Sequence, residues 1–404
     1  MRKKKKIVLA LPIGVPHLEQ VLHGIRLYSQ AHKDWDFITS PETHSIPVSS
    51  LVGWDGDGAI AMVNSLKDVE VIQTLKCPVI NISGALDYSG IPRVRIDYME
   101  AGRKAARHLL EHGFSRFAFY GLKNVFYAKS EYQGFIEVIK SQGYKCSYYE
   151  DTPTFAMDKP WQHDHVSLER WLQSLEKPVG LMASHDPRAA MVIQACKRCG
   201  IKVPDEIAVI GFNNDIQTCE FSDPQITSVA RPGEKVGWLT AELLDSLISG
   251  KTPQAAEIVI PPGEVVERLS TDTIGVDNKL ILEVVNNIKR HINEPISVNS
   301  IAVSVGRSRR WLEYAFREYL RVTPHEFIMN IRFKRAKFLL ETNPKISIKE
   351  LAYECGFSGS RQLNLVFEKQ LGVSAKLFKN KLLESLELKV KNNIPNSLTP
   401  PINS

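Results

Sequence analysis

Short apolar runs alternate with longer amphipathic stretches over the first 270 or so residues. IVLALPI (7–13), GAIAMV (58–63), PVINIS (78–83), FAFYGL (117–122), VGLMAS (179–184) and IAVIGF (207–212) have the length and unbroken apolar character of buried strands. Between them, residues 18–32, 99–113, 130–143, 166–175 and 187–199 repeat apolar positions at helical spacing, and Gly113 closes the second stretch. This alternation predicts a parallel, doubly wound α/β architecture, whose ligands bind beyond the carboxyl ends of the strands. The loops that begin near Ile13, Ser83, Gly121, Ser184 and Phe212 are therefore where a ligand is expected. EIVIPPGEVVE (257–267) reads as a last strand, and the polar RLSTDTIGVDN (268–278) as a boundary.

Beyond that boundary the pattern changes. Residues 277–384 offer no strand, only helices with caps, and the segment states one pattern twice. SVNSIAVSVGRSRRWLEYAF begins at Ser297 and SIKELAYECGFSGSRQLNLVF at Ser347; Ile301/Leu351, Ala302/Ala352 and Gly306/Gly356 share one offset. Each copy reads as helix, sharp turn, helix. A small Ala allows close helix contact, a Gly suits a turn of positive φ, and a second helix follows with one apolar face. That face carries Leu312, Ala315 and Phe316 in the first copy, and Leu363, Val366 and Phe367 in the second. The opposite face holds Arg307, Arg309, Arg310 and Tyr314, then Ser360, Arg361, Gln362 and Asn364. Arg can pair bidentately with guanine, and Asn or Gln with adenine, in the major groove. After residue 385 the periodicity fades, and 385–404 is expected to be an unstructured tail.

Charge supports the nucleic-acid reading. Residues 277–384 hold 19 Lys and Arg against 11 Asp and Glu, whereas the rest of the chain holds 32 against 34. All the positive excess lies with the repeat, as a phosphate-facing surface requires. At 404 residues, 43% hydrophobic and 24% charged, the chain has the size and balance of a soluble protein of two or three domains. No apolar run approaches the ~20 residues of a membrane helix. MRKKKKIVLALPIGV reads as a basic tip on a buried strand, since Pro12 interrupts the run and no small-residue cleavage site follows. Six scattered cysteines suit a reducing cytoplasm, where the protein is expected to work.

Chemistry of other kinds finds little support. There is no Gly-x-Gly-x-x-Gly, Walker loop or GxSxG, so no cofactor, catalytic residue or enzymatic activity is expected. Cys196–Cys199 lacks a second ligand pair, His163–Asp164–His165 sits at a helix start, and WDGDGAIA (54–61) lacks the later ligands of a calcium loop. No metal is expected.

The helical segment resembles the AraC/XylS-type DNA-binding domain, in which two such motifs are joined by a long helix and enter successive major grooves. HEFIMNIRFKRAKFLLE (325–341) matches the joining helix, and IKELAYECGFSGSRQLNLVFEKQLGVSAKLFK the second motif. Two positions depart from the pattern: Ala375 stands for the usual Pro, and Leu363–Asn364 for an aromatic–Ser pair. The resemblance implies double-stranded operator DNA as a partner.

The front of the chain resembles the sugar-sensing core of LacI/GalR-type regulators and periplasmic sugar-binding proteins. VRIDYMEAGRKAARHLLEHGFSRFAFYG, GLMASHDPRAAMVIQACKRCGIKVPDEIAVIGFNND and ITSVARPGEKVG carry the likeness. It implies two lobes that close on a sugar. Asp97 falls where the family's sugar-contacting Asp lies, and is equally readable as a helix cap. His185 takes the place of an Asn or Asp and is also readable as a cap. Asn213 replaces an Asp, Trp161 matches an aromatic that could lie against a sugar ring, and Glu131 stands where the family often places a sugar-reaching Arg.

A sensor of this kind at residues 1–272, followed by an AraC-type domain at 273–384, is similar to xylose-responsive activators. The order implies a small D-xylose-like effector, activation of a sugar-use operon through RNA polymerase, and a homodimer. Another sugar remains open, as does a sugar-binding protein with an accessory helical domain.

Overall fold

The computed structural model describes residues 4–393, except 13, 33–34, 40–45, 89, 153–164, 252–256, 277 and 321. The chain divides into two compact units, Met1–Asp277 and Asn278–Ser404.

The first unit contains two six-stranded sheets. One is built from β1 (Lys5–Ala10), β2 (Trp35–Ile38), β3 (Gly58–Ala61), β4 (Val79–Asn81), β5 (Arg93–Ile96) and β11 (Glu257–Ile260), in the order β11-β5-β4-β3-β1-β2. The other is built from β6 (Phe117–Leu122), β7 (Cys146–Asp151), β8 (Val179–Ala183), β9 (Ile207–Asn213), β10 (Thr227–Ala230) and β12 (Val265–Val266), in the order β12-β10-β9-β8-β6-β7. Every described pairing is parallel except β10 with β12. Helices α1 (Pro16–His32), α2 (Leu66–Gln73), α3 (Tyr98–Glu111), α4 (Phe126–Ser141), α5 (His165–Ser174), α6 (Asp186–Arg198), α7 (Ile216–Phe221) and α8 (Gly233–Ile248) connect the strands. The doubly wound expectation holds, with one antiparallel edge.

That edge corrects a strand boundary. EIVIPPGEVVE is two strands in two sheets: Glu257–Ile260 extends the first, and Val265–Val266 closes the second. Pro261 and Pro262 have no N–H to continue a ladder, so the chain leaves one sheet and enters the other. The chain also crosses between the sheets after Ile96 and after Ala230, through α3 and α8. Each crossing helix packs on a helix of the lobe it enters through facing glycines. A Cβ on Gly102 would stand 2.0 Å from the Glu131 carbonyl oxygen, and one on Gly237 1.9 Å from that of Val21. Backbones this close allow no side chain, and the contact places Glu131 against the start of α3.

The second unit is helical among the described residues. It contains α9 (Lys279–Arg290), α10 (Val298–Ser304), α11 (Arg309–Leu320), α12 (Pro324–Thr342), α13 (Ile348–Glu354), α14 (Ser360–Leu371) and α15 (Ala375–Asn393). The last helix runs past residue 385, where an unstructured tail was expected. Between Ala375 and Asn393 no Gly or Pro interrupts the Leu, Lys and Glu that favour helix. Residues 394–404 lie outside the described residues. Ala336, Leu340, Leu351, Ala352, Leu363 and Phe367 form one buried cluster around the second repeat. Arg332 is buried with them and donates from Nε to the Ile292 carbonyl (3.1 Å) and from Nη2 to that of Glu294 (2.7 Å). These bonds tie the joining helix to the segment after α9.

Candidate functional site

The loops at the carboxyl ends of both sheets converge on a polar cleft within the first unit. His17 comes from the start of α1, on one lobe. His185, Asn213 and Arg231 follow β8, end β9 and follow β10, on the other. His17 lies near enough to Arg231 and His185 for their charges to act on it. Arg231 also reaches the hydroxyl of buried Tyr98, at the start of α3.

The two lobes touch here. The first residues of α4 have no side-chain cap, because Val125 cannot supply one. Their orphan N–H groups are satisfied from the opposite lobe: Phe126 N donates to the Ala85 carbonyl (2.9 Å) and Tyr127 N to that of Gly84 (3.1 Å). Arg93 and Arg95, both paired with Glu257, lie 5.8 and 5.6 Å from the centre of the Phe126 ring. The described form is therefore closed over the cleft.

Its electrostatics favour an uncharged, hydrogen-bonding ligand. Burial, then the Arg231 charge, holds His17 down to about 3. Burial and Arg188 hold His185 at about 4. Both imidazoles are therefore neutral near pH 7. Burial, reinforced by the Asp186 carboxylate, pushes Glu131 well above the usual carboxylate range. Asp186 is pushed up to about 7 by burial, while it accepts from Ser228 Oγ (2.6 Å) and Asp215 N (2.7 Å).

Five buried side-chain polar atoms lack a partner among the described residues. One is Trp54 Nε1; the other four are both oxygens of Glu131, Asn213 Oδ1 and Arg231 Nε. An unpaired buried polar atom costs roughly 1–3 kcal/mol, so a cluster of four implies a ligand that completes them. Asn213 also sits at φ +104, a backbone conformation uncommon outside glycine.

Sequence expectations meet this geometry unevenly. Asp97 caps α3, accepting from Glu100 N at 3.0 Å through one oxygen. His185 caps α6 through Nδ1, 3.3 Å from Arg188 N. Both cap readings are realised at the cleft edge, which leaves a ligand role open to the remaining atoms. Glu131 and Asn213 are brought to the cleft. Trp161, with His163 and Asp164, lies outside the described residues. Sequence reading missed His17, Tyr98 and Arg231. Arg231 follows directly after the strand TSVA, a position that could have singled it out.

The second unit presents its candidates differently. Both turns contain glycine at positive φ, +63 at Gly306 and +73 at Gly356. Leu312 and Phe316, Leu363 and Phe367 are buried as expected. Arg307, Arg309, Arg310 and Tyr314 are exposed, Tyr314 at 66%. Arg309 Nε pairs with Glu313 at 2.8 Å, and the Arg307 guanidinium lies 5.4 Å from the centre of the Trp311 ring. In the second copy Arg361 is exposed and Ser360 begins α14.

The remaining two candidates turn inward. Gln362 Oε1 accepts from Ser358 N (2.8 Å) and Ser358 Oγ (3.0 Å). Asn364 Oδ1 accepts from Ala375 N at 3.1 Å. The two departures from the AraC pattern thus meet. A Pro at 375 would have no N–H, and Ala375 supplies the donor that Asn364 accepts. Leu365, one turn after Arg361 and 57% exposed, was not singled out from sequence. It offers the kind of apolar contact a thymine methyl makes.

Comparison with known proteins agrees with this two-part construction. Residues 106–271 match a periplasmic binding protein-like domain, and residues 301–381 a helix-turn-helix domain. A xylose operon regulatory protein of Haemophilus influenzae is 30% identical over 93% of this chain and 98% of its own. One from Escherichia coli K12 is 28% identical over 94% and 97%. A solved structure of the xylose-binding transcription activator xylR, 27% identical, covers 94% of this chain and 98% of its own with a TM-score of 0.62. With a closed polar cleft in front, two helix-turn-helix motifs behind and likeness along nearly its whole length, the chain belongs to the family of xylose operon regulatory proteins.

Proposed function

We propose that the protein is a sugar-responsive, sequence-specific DNA-binding regulator that activates a xylose-type catabolic operon. The observation that carries the sensing half is the set of partnerless buried atoms on Glu131, Asn213 and Arg231. A neutral polyol can donate to the Asn213 and Glu131 oxygens and accept from Arg231. In this role His17, Asp97, Glu131, His185, Asn213 and Arg231 line the sugar site. Glu131, held protonated, would also donate one hydrogen bond where a family Arg would donate several. D-xylose is the effector that the relatives' names support.

The reading half acts through α11 and α14. Arg309, Arg310 and Tyr314 face one major groove, and Arg361 and Leu365 the next. The joining helix α12, at 19 residues, spans about 28 Å. That is comparable with the ~34 Å of one duplex turn. Homodimerisation, recruitment of RNA polymerase and work in the cytoplasm complete the proposal. No helix among the described residues is long and apolar enough to cross a membrane.

A thermal-shift panel of pentoses and hexoses on the full chain tests the sensing half. At a hundred times its Kd, D-xylose should raise stability by about 2.7 kcal/mol. A shift with another sugar alone would move the protein to a different regulon, and no shift with any sugar would refute the cleft assignment.

A further inference from the structure

Outside the cleft, three side chains of the metal-ligating kind meet near the end of the first unit. His108 and His112 stand one turn apart on α3, and Glu267 follows β12. One ligand atom from each lies within 4.8 Å of the other two. The i,i+4 spacing puts both imidazoles on one helix face, with ring centres 4.2 Å apart.

Hydrogen-bond bookkeeping fixes which nitrogen each ring offers. The His108 carbonyl can only accept, so His112 Nδ1, 2.8 Å away, carries the proton and Nε2 is the basic nitrogen of the neutral ring. For His108 the chain of donors is longer. Thr227 Oγ1 donates to the Arg268 carbonyl (3.0 Å), so between Thr227 and Thr271, 2.8 Å apart, the proton comes from Thr271. Thr271 Oγ1 then has only lone pairs for His108 Nε2 at 2.9 Å. His108 Nε2 is the donor, and its basic Nδ1 lies 3.8 Å from Glu267 Oε1. An imidazole lone pair and a carboxylate at this distance call for a cation. Rings held on their far nitrogen by a carbonyl or a hydroxyl are oriented as metal-ligating histidines are.

We propose that His108 Nδ1, His112 Nε2 and the Glu267 carboxylate bind one divalent transition-metal ion of the zinc, cobalt and nickel class. Two imidazoles and one carboxylate suit these ions better than magnesium or calcium. Ligands at 2.0–2.2 Å around a tetrahedral ion lie about 3.3 Å apart. The exposed Glu267 side chain can close the remaining gap by rotation. Water takes the fourth position. The bound ion would pin Glu267 to α3 beside the point where Gly275 N donates to the His112 carbonyl (2.8 Å). It would thereby stiffen the stretch by which the chain leaves the sensor, an input distinct from the sugar.

The test is titration of the chelator-stripped full chain with Zn²⁺ alone, followed by the absorption spectrum with Co²⁺. One ion per chain is expected, bound at least tenfold more weakly by Glu267→Gln and by His112→Gln. The Co²⁺ spectrum should show d–d bands without a near-ultraviolet thiolate charge-transfer band. Because Glu267 is exposed, its variant should keep the wild-type melting curve without metal, which separates ligand loss from misfolding. Unchanged Zn²⁺ binding in both variants, or a thiolate band indicating Cys196 and Cys199, would overturn the assignment. Absence of binding would overturn it too, and would make a proton the cation between His108 and Glu267.

Discussion

The two helix-turn-helix motifs share a sequence pattern and use it differently. In the first, a Cβ on Gly306 would meet nothing within 4 Å, and four candidate DNA-contacting side chains stand exposed on or just before α11. In the second, a Cβ on Gly356 would stand 2.3 Å from the Ile292 carbonyl oxygen and 2.9 Å from Arg332 Nε. Gln362 and Asn364 there serve the unit's own helix ends. The second motif is keyed into the frame that Arg332 holds, while the first is presented outward. A repeat in sequence therefore does not divide the work equally: positions that read bases in one copy can hold the scaffold in the other.

The largest test of this asymmetry is at the turns. Gly356→Ala combines a left-handed backbone with overlap on Ile292, and should cost about 3 kcal/mol or more. Gly306→Ala carries only the backbone term, about 1–2 kcal/mol. Urea unfolding followed by helical signal checks both, and equal losses would break the comparison.

On DNA the ranking reverses. Arg309→Ala with Arg310→Ala should weaken operator binding by about 3 kcal/mol, and Arg361→Ala by about 1.5 kcal/mol, at one fixed salt concentration. The surface pair Arg309–Glu313 is worth at most about 0.5 kcal/mol, so Arg309 can leave it for DNA at little cost. A larger loss from Arg361→Ala would transfer the main reading role to the second motif.

The smallest effect concerns the linked departures. Asn364→Ala should cost about 1 kcal/mol in the wild-type chain, and close to nothing once Ala375→Pro has removed the donor. Pro is tolerated at this first helical position, so the double-mutant cycle remains interpretable. Additive losses would mean that the bond between Asn364 and Ala375 contributes nothing.

How legible each part was in the sequence follows from the range of its contacts. The reader was legible because its signals are local: serines at Ser297 and Ser347 cap helices within three residues, and Gly306 and Gly356 turn the chain where they stand. The central strands were equally plain, being apolar on both faces. Edge and charged strands such as Trp35–Ile38, Arg93–Ile96 and Cys146–Asp151 were missed, since half-solvated positions or a buried Arg93 break the apolar run.

The cleft was half legible. Asp97 and His185 could be found because they cap helices, and Glu131 because it departs from a family pattern. His17 and Arg231 carry no local signal. They meet only because the chain crosses between the lobes three times, and no spacing rule records that. The coupling of Asn364 to Ala375 was hidden for the same reason, although each residue was noticed separately.

The central claim is that occupancy of the front cleft alters DNA reading by the helices behind it. The most direct measurement is the affinity of the full chain for the promoter DNA of its own xylose genes, at fixed salt, with and without D-xylose. The account predicts a change of at least fivefold, matched by an equal change in D-xylose affinity when that DNA is present, corresponding to a coupling of ~1–3 kcal/mol. Binding of the sugar with no change in DNA affinity would contradict it.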